Sequence, residues 1–131
     1  MIFDGKASAL KMQEKLKEEI SNLPHTPRLA ILCVATHPSI TSFIAIKKRY
    51  ALALGVEMTE YNFKEEDGEQ MIMGKIQNIV DTKAFDGIVV QLPLPFTFTT
   101  QKILDTIPER LDVDCLSSAT FETFKKTGAP L

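Results

Sequence analysis

The sequence predicts an α/β fold, a three-layer αβα domain on a mainly parallel sheet, and three observations carry that expectation. The runs "RLAILCVA" from residue 28 and "FDGIVVQL" from residue 85 have strand length and little polar alternation, as strands do when both faces are covered. Segments of helical periodicity lie between the strand candidates, so the strands are joined by crossovers rather than hairpins. No repeat, low-complexity stretch or linker interrupts this alternation before about residue 115.

The elements follow in order. "ASALKMQEKLKEEISNL" places Leu10, Leu16, Ile20 and Leu23 at helix-like spacing among good helix formers, and Pro24 and Pro27 stop it. "RLAILCVA" is the first strand, "THPS" a loop, and "SFIAIKKRYALALG" an amphipathic helix closed by Gly55. "VEMTEYNF" is the second strand, "EEDGEQMIMGKIQNIVDT" a helix with acids at its start, and "FDGIVVQL" the third strand. "PLPF" then leads into a short helix around "TTQKILDTI". In the tail "SSATFETFKKTGAPL" neither helix nor strand is predicted, and its Gly and Pro are read as a domain boundary.

With 131 residues the chain has the length of one domain with its own core. Apolar residues make up 44%, charged residues 24%, and the net charge is −2, which excludes a disordered, membrane-spanning or nucleic-acid-coating chain. No basic stripe calls for DNA or RNA. "MIFDGKASALK" carries an acid at position 4 and no apolar run of signal length, so a cytoplasmic location is expected. Cys33 and Cys115 show no metal-ligand spacing, and neither a zinc site nor a disulfide framework is expected.

One helix contains an anomaly. Around it, Ile40, Phe43, Ile44, Tyr50, Ala51 and Leu54 share one arc, and Lys47 falls near the centre of that arc. Such a lysine ordinarily lays its stem on the core and its amine in water. The alternative is chemical. In an open parallel sheet ligands bind at the carboxyl ends of the strands, where "ATHPSIT" and "QLPLP" both lie, so Lys47 and Gln91 can converge there. A lysine taken out of water holds its proton less tightly and can accept one near neutrality, and a glutamine can bond it without adding charge. Of the remaining polar features, "DVD" at 112–114 is compatible with a metal or a polar heterocycle but is usually solvated, and "KEEDGE" at 64–69 reads as a turn and helix start. His25 and His37 are loop residues, with His37 the nearer to a site. There is no GxGxxG and no P-loop pattern.

"FDGIVVQLPLP" at 85–95 closely resembles the signature of the bifunctional methylenetetrahydrofolate dehydrogenase/cyclohydrolase, or FolD, family. "FDGKASA", "LAILCVATHPSITSFIAIKKRYALALGV" and "IPERLDVD" resemble that family's start, its strand, loop and lysine helix, and its Pro-then-DVDG segment. The resemblance implies a folate-binding catalytic domain over residues 1–115, with 116–131 a tail or the start of a connection to a Rossmann domain for NADP or NAD that lies outside these residues. It implies removal of hydride from 5,10-methylenetetrahydrofolate and hydrolysis of the methenyl product to 10-formyltetrahydrofolate, with no metal. By position, Lys47 resembles the catalytic lysine and Gln91 the glutamine that positions it. Phe43, Pro93 and Asp114 fall on substrate-binding positions. Partners implied are the folate substrate and, for the full-length protein, a second copy in a homodimer, with neither nucleic acid nor membrane.

The departures from that pattern are specific. The family's tyrosine four residues before the lysine is Phe43, its loop serine aligns with Ile40, its glycine after the strand is Ala35, and the Gly after DVD is Cys115. Loss of the Tyr and Ser hydroxyls bears on the hydrolytic step more than on folate binding. A non-catalytic module that binds folate or another small ligand on the same scaffold is the second reading.

Overall fold

The computed structural model describes residues 4–34 and 38–128. Helix α1 (Gly5–Ser21) leads to strand β1 (Arg28–Val34), helix α2 (Pro38–Leu54), strand β2 (Glu57–Phe63), helix α3 (Gly68–Thr82), strand β3 (Gly87–Val90), the short helix α4 (Thr100–Leu104) and helix α5 (Ser118–Thr127). The three strands are all parallel in the order β2-β1-β3, with Ala30 opposite Thr59 on one side and Ile88 on the other. Beyond β3, Asp112 makes a single parallel bridge to Ile88.

The central strand carries the two-sided burial that its apolar run predicts. Ala30, Leu32 and Val34 point to one face, where Ile72, Ile76 and Ile79 of α3 and Ile103 and Leu104 of α4 pack. Ile31 and Cys33 point to the other, beneath Ile40 and Ile44 of α2. The alternation is the two-residue period of a strand, and the i, i+4, i+7 spacing of the α3 isoleucines is the helical period that meets it. Ile76 is fully enclosed, and truncating such a residue to Ala costs about 2–5 kcal/mol.

Two features differ from the expectation. The tail is helical: the Ser117 hydroxyl accepts from the Thr120 N–H at 3.3 Å to start α5, and Gly128, in the left-handed region at φ 69, ends it. The Gly read as a boundary is a helix stop. In α2 the buried positions are Ile40, Ile44 and Ala51, whereas Phe43 and Tyr50 are 58% and 50% exposed. The buried arc is narrower than the apolar stripe: Ile40 and Ile44 pack on Ile31, Cys33 and Val89, and Lys48 on the other flank pairs with Glu60 of β2. Helix α1, capped by Asp4, packs along α2 and buries none of its residues.

Candidate functional site

Lys47 and Gln91 meet. The Lys47 ammonium donates to Gln91 Oε1 at 2.9 Å, and the other half of the same amide, Gln91 Nε2, donates to the Leu92 carbonyl at 2.7 Å. The Gln91 N–H in turn donates to the Leu32 carbonyl at 2.8 Å, extending the ladder between β1 and β3 by one rung. The glutamine is thereby fixed at the carboxyl end of β3 with its oxygen turned to the lysine, and a flipped amide would lose both side-chain bonds. Lys47 is exposed rather than enclosed by protein. Its side chain borders a space that Asp114 also lines.

That space is a cleft of about 360 Å³ on the α2 face of the sheet. Its floor draws on all three strands, through Leu29 of β1, Met58 of β2 and Val89 of β3. Leu29, Ile46, Leu54, Met58, Val89 and Val113 make an apolar wall, and Lys47, Tyr50 and Asp114 bring the polar groups. An apolar cleft with few convergent polar groups is the usual form of a small-molecule site. Phe43 lies one turn before Lys47, exposed, and is not among the lining residues. Pro93, exposed and joined to Leu92 by a cis peptide, is not among them either.

The two acids of "DVD" have separate fates. Asp114 is exposed at the cleft, whereas Asp112 is 5% exposed and turned inward. Asp112 accepts from the Ser117 N–H at 2.8 Å and the Leu116 N–H at 3.3 Å, closing the turn that carries Asp114. Burial, the largest single influence, pushes the Asp112 carboxyl up, but hydrogen bonds from the Ser117 N–H and hydroxyl, the Leu116 N–H and Thr120 together hold it below the ordinary aspartate range. Cys115 sits in the turn at φ 56, the left-handed region that favours glycine. Gly87 lets this segment lie close to β3: a Cβ there would come 2.6 Å from Val113 Cγ1 and 3.0 Å from Leu29 Cδ1.

The helix stripe placed Tyr50 on the same arc as Lys47, three residues on, but as an apolar-face residue and not as part of a site. Nothing in the acid-pair reading pointed to Gly87 or Val113. Ile40, on the position of the family serine, is a core residue. Ala35 and His37 lie outside the described residues. His25 bonds Asp86 at 3.1 Å beside two larger hollows, of about 490 and 550 Å³, at the opposite ends of the strands. There Asp86 also accepts the Arg28 N–H at 2.8 Å, which ties the start of β1 to the loop before β3. Among the described residues no cluster of His, Cys, Asp or Glu is arranged to hold a metal, and no helix is long and apolar enough to cross a membrane.

Comparison with known proteins gives a consistent result. Residues 3–114 match the family model described as tetrahydrofolate dehydrogenase/cyclohydrolase, catalytic domain. The bifunctional protein FolD of Caldanaerobacter subterraneus subsp. tengcongensis is 33% identical over 118 residues, covering 90% of this chain and 42% of that protein. The crystal structure of the FolD methylenetetrahydrofolate dehydrogenase/cyclohydrolase from Campylobacter jejuni superposes with a TM-score of 0.89 at 26% identity, over 94% of this chain and 45% of the other. At 21% identity, the Trypanosoma brucei FolD structure, complexed with NADP cofactor and inhibitor, shares the fold with a TM-score of 0.82, over 98% of this chain and 52% of that one. The chain thus spans less than half the length of the curated relatives it matches.

Proposed function

We propose, since this chain belongs to the tetrahydrofolate dehydrogenase/cyclohydrolase family through its catalytic domain, that it is the folate-binding part of a 5,10-methylenetetrahydrofolate dehydrogenase and 5,10-methenyltetrahydrofolate cyclohydrolase. Residues 1–115 form that domain and 116–131 begin the connection beyond it, a division that the match over 3–114 supports. The observation that carries the reading is the Lys47–Gln91 hydrogen bond at the mouth of an apolar cleft that Asp114 also lines.

In the hydrolytic step water adds to the methenyl carbon, one proton leaves the attacking water, and cleavage of one carbon–nitrogen bond gives 10-formyltetrahydrofolate. Lys47 carries protons to and from those atoms, and Gln91 keeps its amine aimed at the cleft. The Asp114 carboxylate accepts from the N–H groups of the pterin, while Phe43 and Pro93, outside the cleft lining, flank the part of the folate that extends past it. Hydride transfer belongs to the full-length protein, with NADP or NAD held outside these residues. That protein is assigned to the cytoplasm as a homodimer.

Calorimetric titration with a tetrahydrofolate analogue tests the binding. Saturable binding is expected, and its absence in folded protein excludes the reading. Loss of methenyltetrahydrofolate absorbance in wild type and Lys47→Met then tests the chemistry. Equal decay in the two excludes lysine-dependent hydrolysis and leaves a folate-binding module without catalysis.

A further inference from the structure

The cleft holds a third polar group to which no role has been given. Tyr50 follows Lys47 by three residues, so the two side chains are neighbours on one flank of α2, and both line the cleft with Asp114. The chemistry of the three is complementary. An ammonium only donates and an ionised carboxylate only accepts, whereas a phenol does both and carries no charge. Tyr50 is also the only aromatic side chain in that lining. Its ring is half exposed, and the Arg49 guanidinium lies 5.8 Å from the ring centroid. A planar ligand in an apolar cleft gains most from an aromatic face set next to its polar anchors.

We propose that Tyr50 is a substrate-binding residue of this site, stacking its ring on an aromatic segment of the folate and offering its hydroxyl as the neutral hydrogen-bond partner beside Lys47 and Asp114. The proposal rests on the folate reading and adds a residue to it. It also answers what Phe43 leaves open: a tyrosine lines the cleft, at the turn after the lysine instead of the turn before it.

The 131-residue chain is titrated with tetrahydrofolate as wild type, Tyr50→Phe, Tyr50→Ala and, as a control away from the cleft, Leu52→Ala. Tyr50→Phe is expected to weaken binding about 3- to 10-fold, the worth of one hydrogen bond. Tyr50→Ala is expected to weaken it about 30-fold as the ring contact is lost too, and Leu52→Ala leaves it unchanged. Only two tyrosines are present, and Tyr61 packs by Phe85 in the core on the other face of the sheet. Tyrosine-labelled protein should therefore show magnetisation transfer from the Tyr50 ring to the ligand's benzoyl protons, which a merely structural role would not produce. Unchanged affinity in both variants, or no transfer, overturns the proposal while the folate reading stands. No binding by folded wild type overturns both.

Discussion

Gln91 holds Lys47 with the oxygen of its amide and the Leu92 carbonyl with the nitrogen, at 2.9 and 2.7 Å, so one side chain sets both the position of the amine and the path of the loop behind it. A neutral acceptor matters there. Gln91→Glu replaces it with a charge that holds Lys47 as the cation, and hydrolysis of methenyltetrahydrofolate should fall by about 100-fold, the upper range of what a displaced acid–base group costs being larger still. Stability should fall by about 0.5–1.5 kcal/mol, because the carboxylate has no donor for the Leu92 carbonyl that Nε2 now holds. Absorbance decay and a denaturant melt measure the two. An unchanged rate excludes a proton-accepting role for Lys47.

Gly87 is where β3 and the Asp114 segment touch. Gly87→Ala drives a methyl into Val113 and Leu29, and overpacking of this kind costs about 1–3 kcal/mol. Val113 precedes Asp114, so the same shift should raise the Kd for a tetrahydrofolate analogue. Full retention of both stability and affinity would mean that Val113 moves aside freely.

Cys115 stands in a left-handed conformation that costs a non-glycine residue roughly 1–2 kcal/mol. Glycine relieves it but gains freedom in the unfolded chain, worth about 0.5–1 kcal/mol. Cys115→Gly should therefore be the more stable by up to about 1 kcal/mol, and Cys115→Val the less stable, since a branched side chain is an outlier there. Urea midpoints in the order Gly, Cys, Val are expected. Equality of Cys and Val sinks the account.

Asp112 gives the domain an acid-sensitive turn. Its folded-state pKa lies below the unfolded value near 3.8, so its contribution is complete above that value and is lost as pH falls through the folded one. Asp112→Asn presents an amide to one of two backbone donors and should cost about 1–3 kcal/mol at pH 7. The gap between wild type and variant should narrow below about pH 3.8. A gap constant from pH 7 to 2.5 would assign the loss to packing alone.

The fold was legible because the β1 and β3 runs are apolar on both sides and the α3 isoleucines keep helical period. That Lys47 and Gln91 meet was legible from the rim rule and the place of Lys47 on its helix face. The rest depends on pairing in space. The breadth of the α2 stripe gave no sign that Phe43 and Tyr50 would be left out of the core, since only Ile40, Ile44 and Ala51 of that helix are buried against its neighbours. Helix α5 was missed because Thr120 is its only buried residue. Asp112 and Asp114 look alike in sequence, and only the Ser117 and Leu116 donors tell them apart.

The bridge from Asp112 to Ile88 has a colloidal consequence. β3 is an outer strand, and an outer strand's unpaired main-chain groups are a template for the backbone of another molecule. The short stretch that presents Asp114 also occupies part of that edge. Any change that loosens it should raise concentration-dependent self-association together with the loss of ligand contact, so light scattering of otherwise folded variants reports on the cleft.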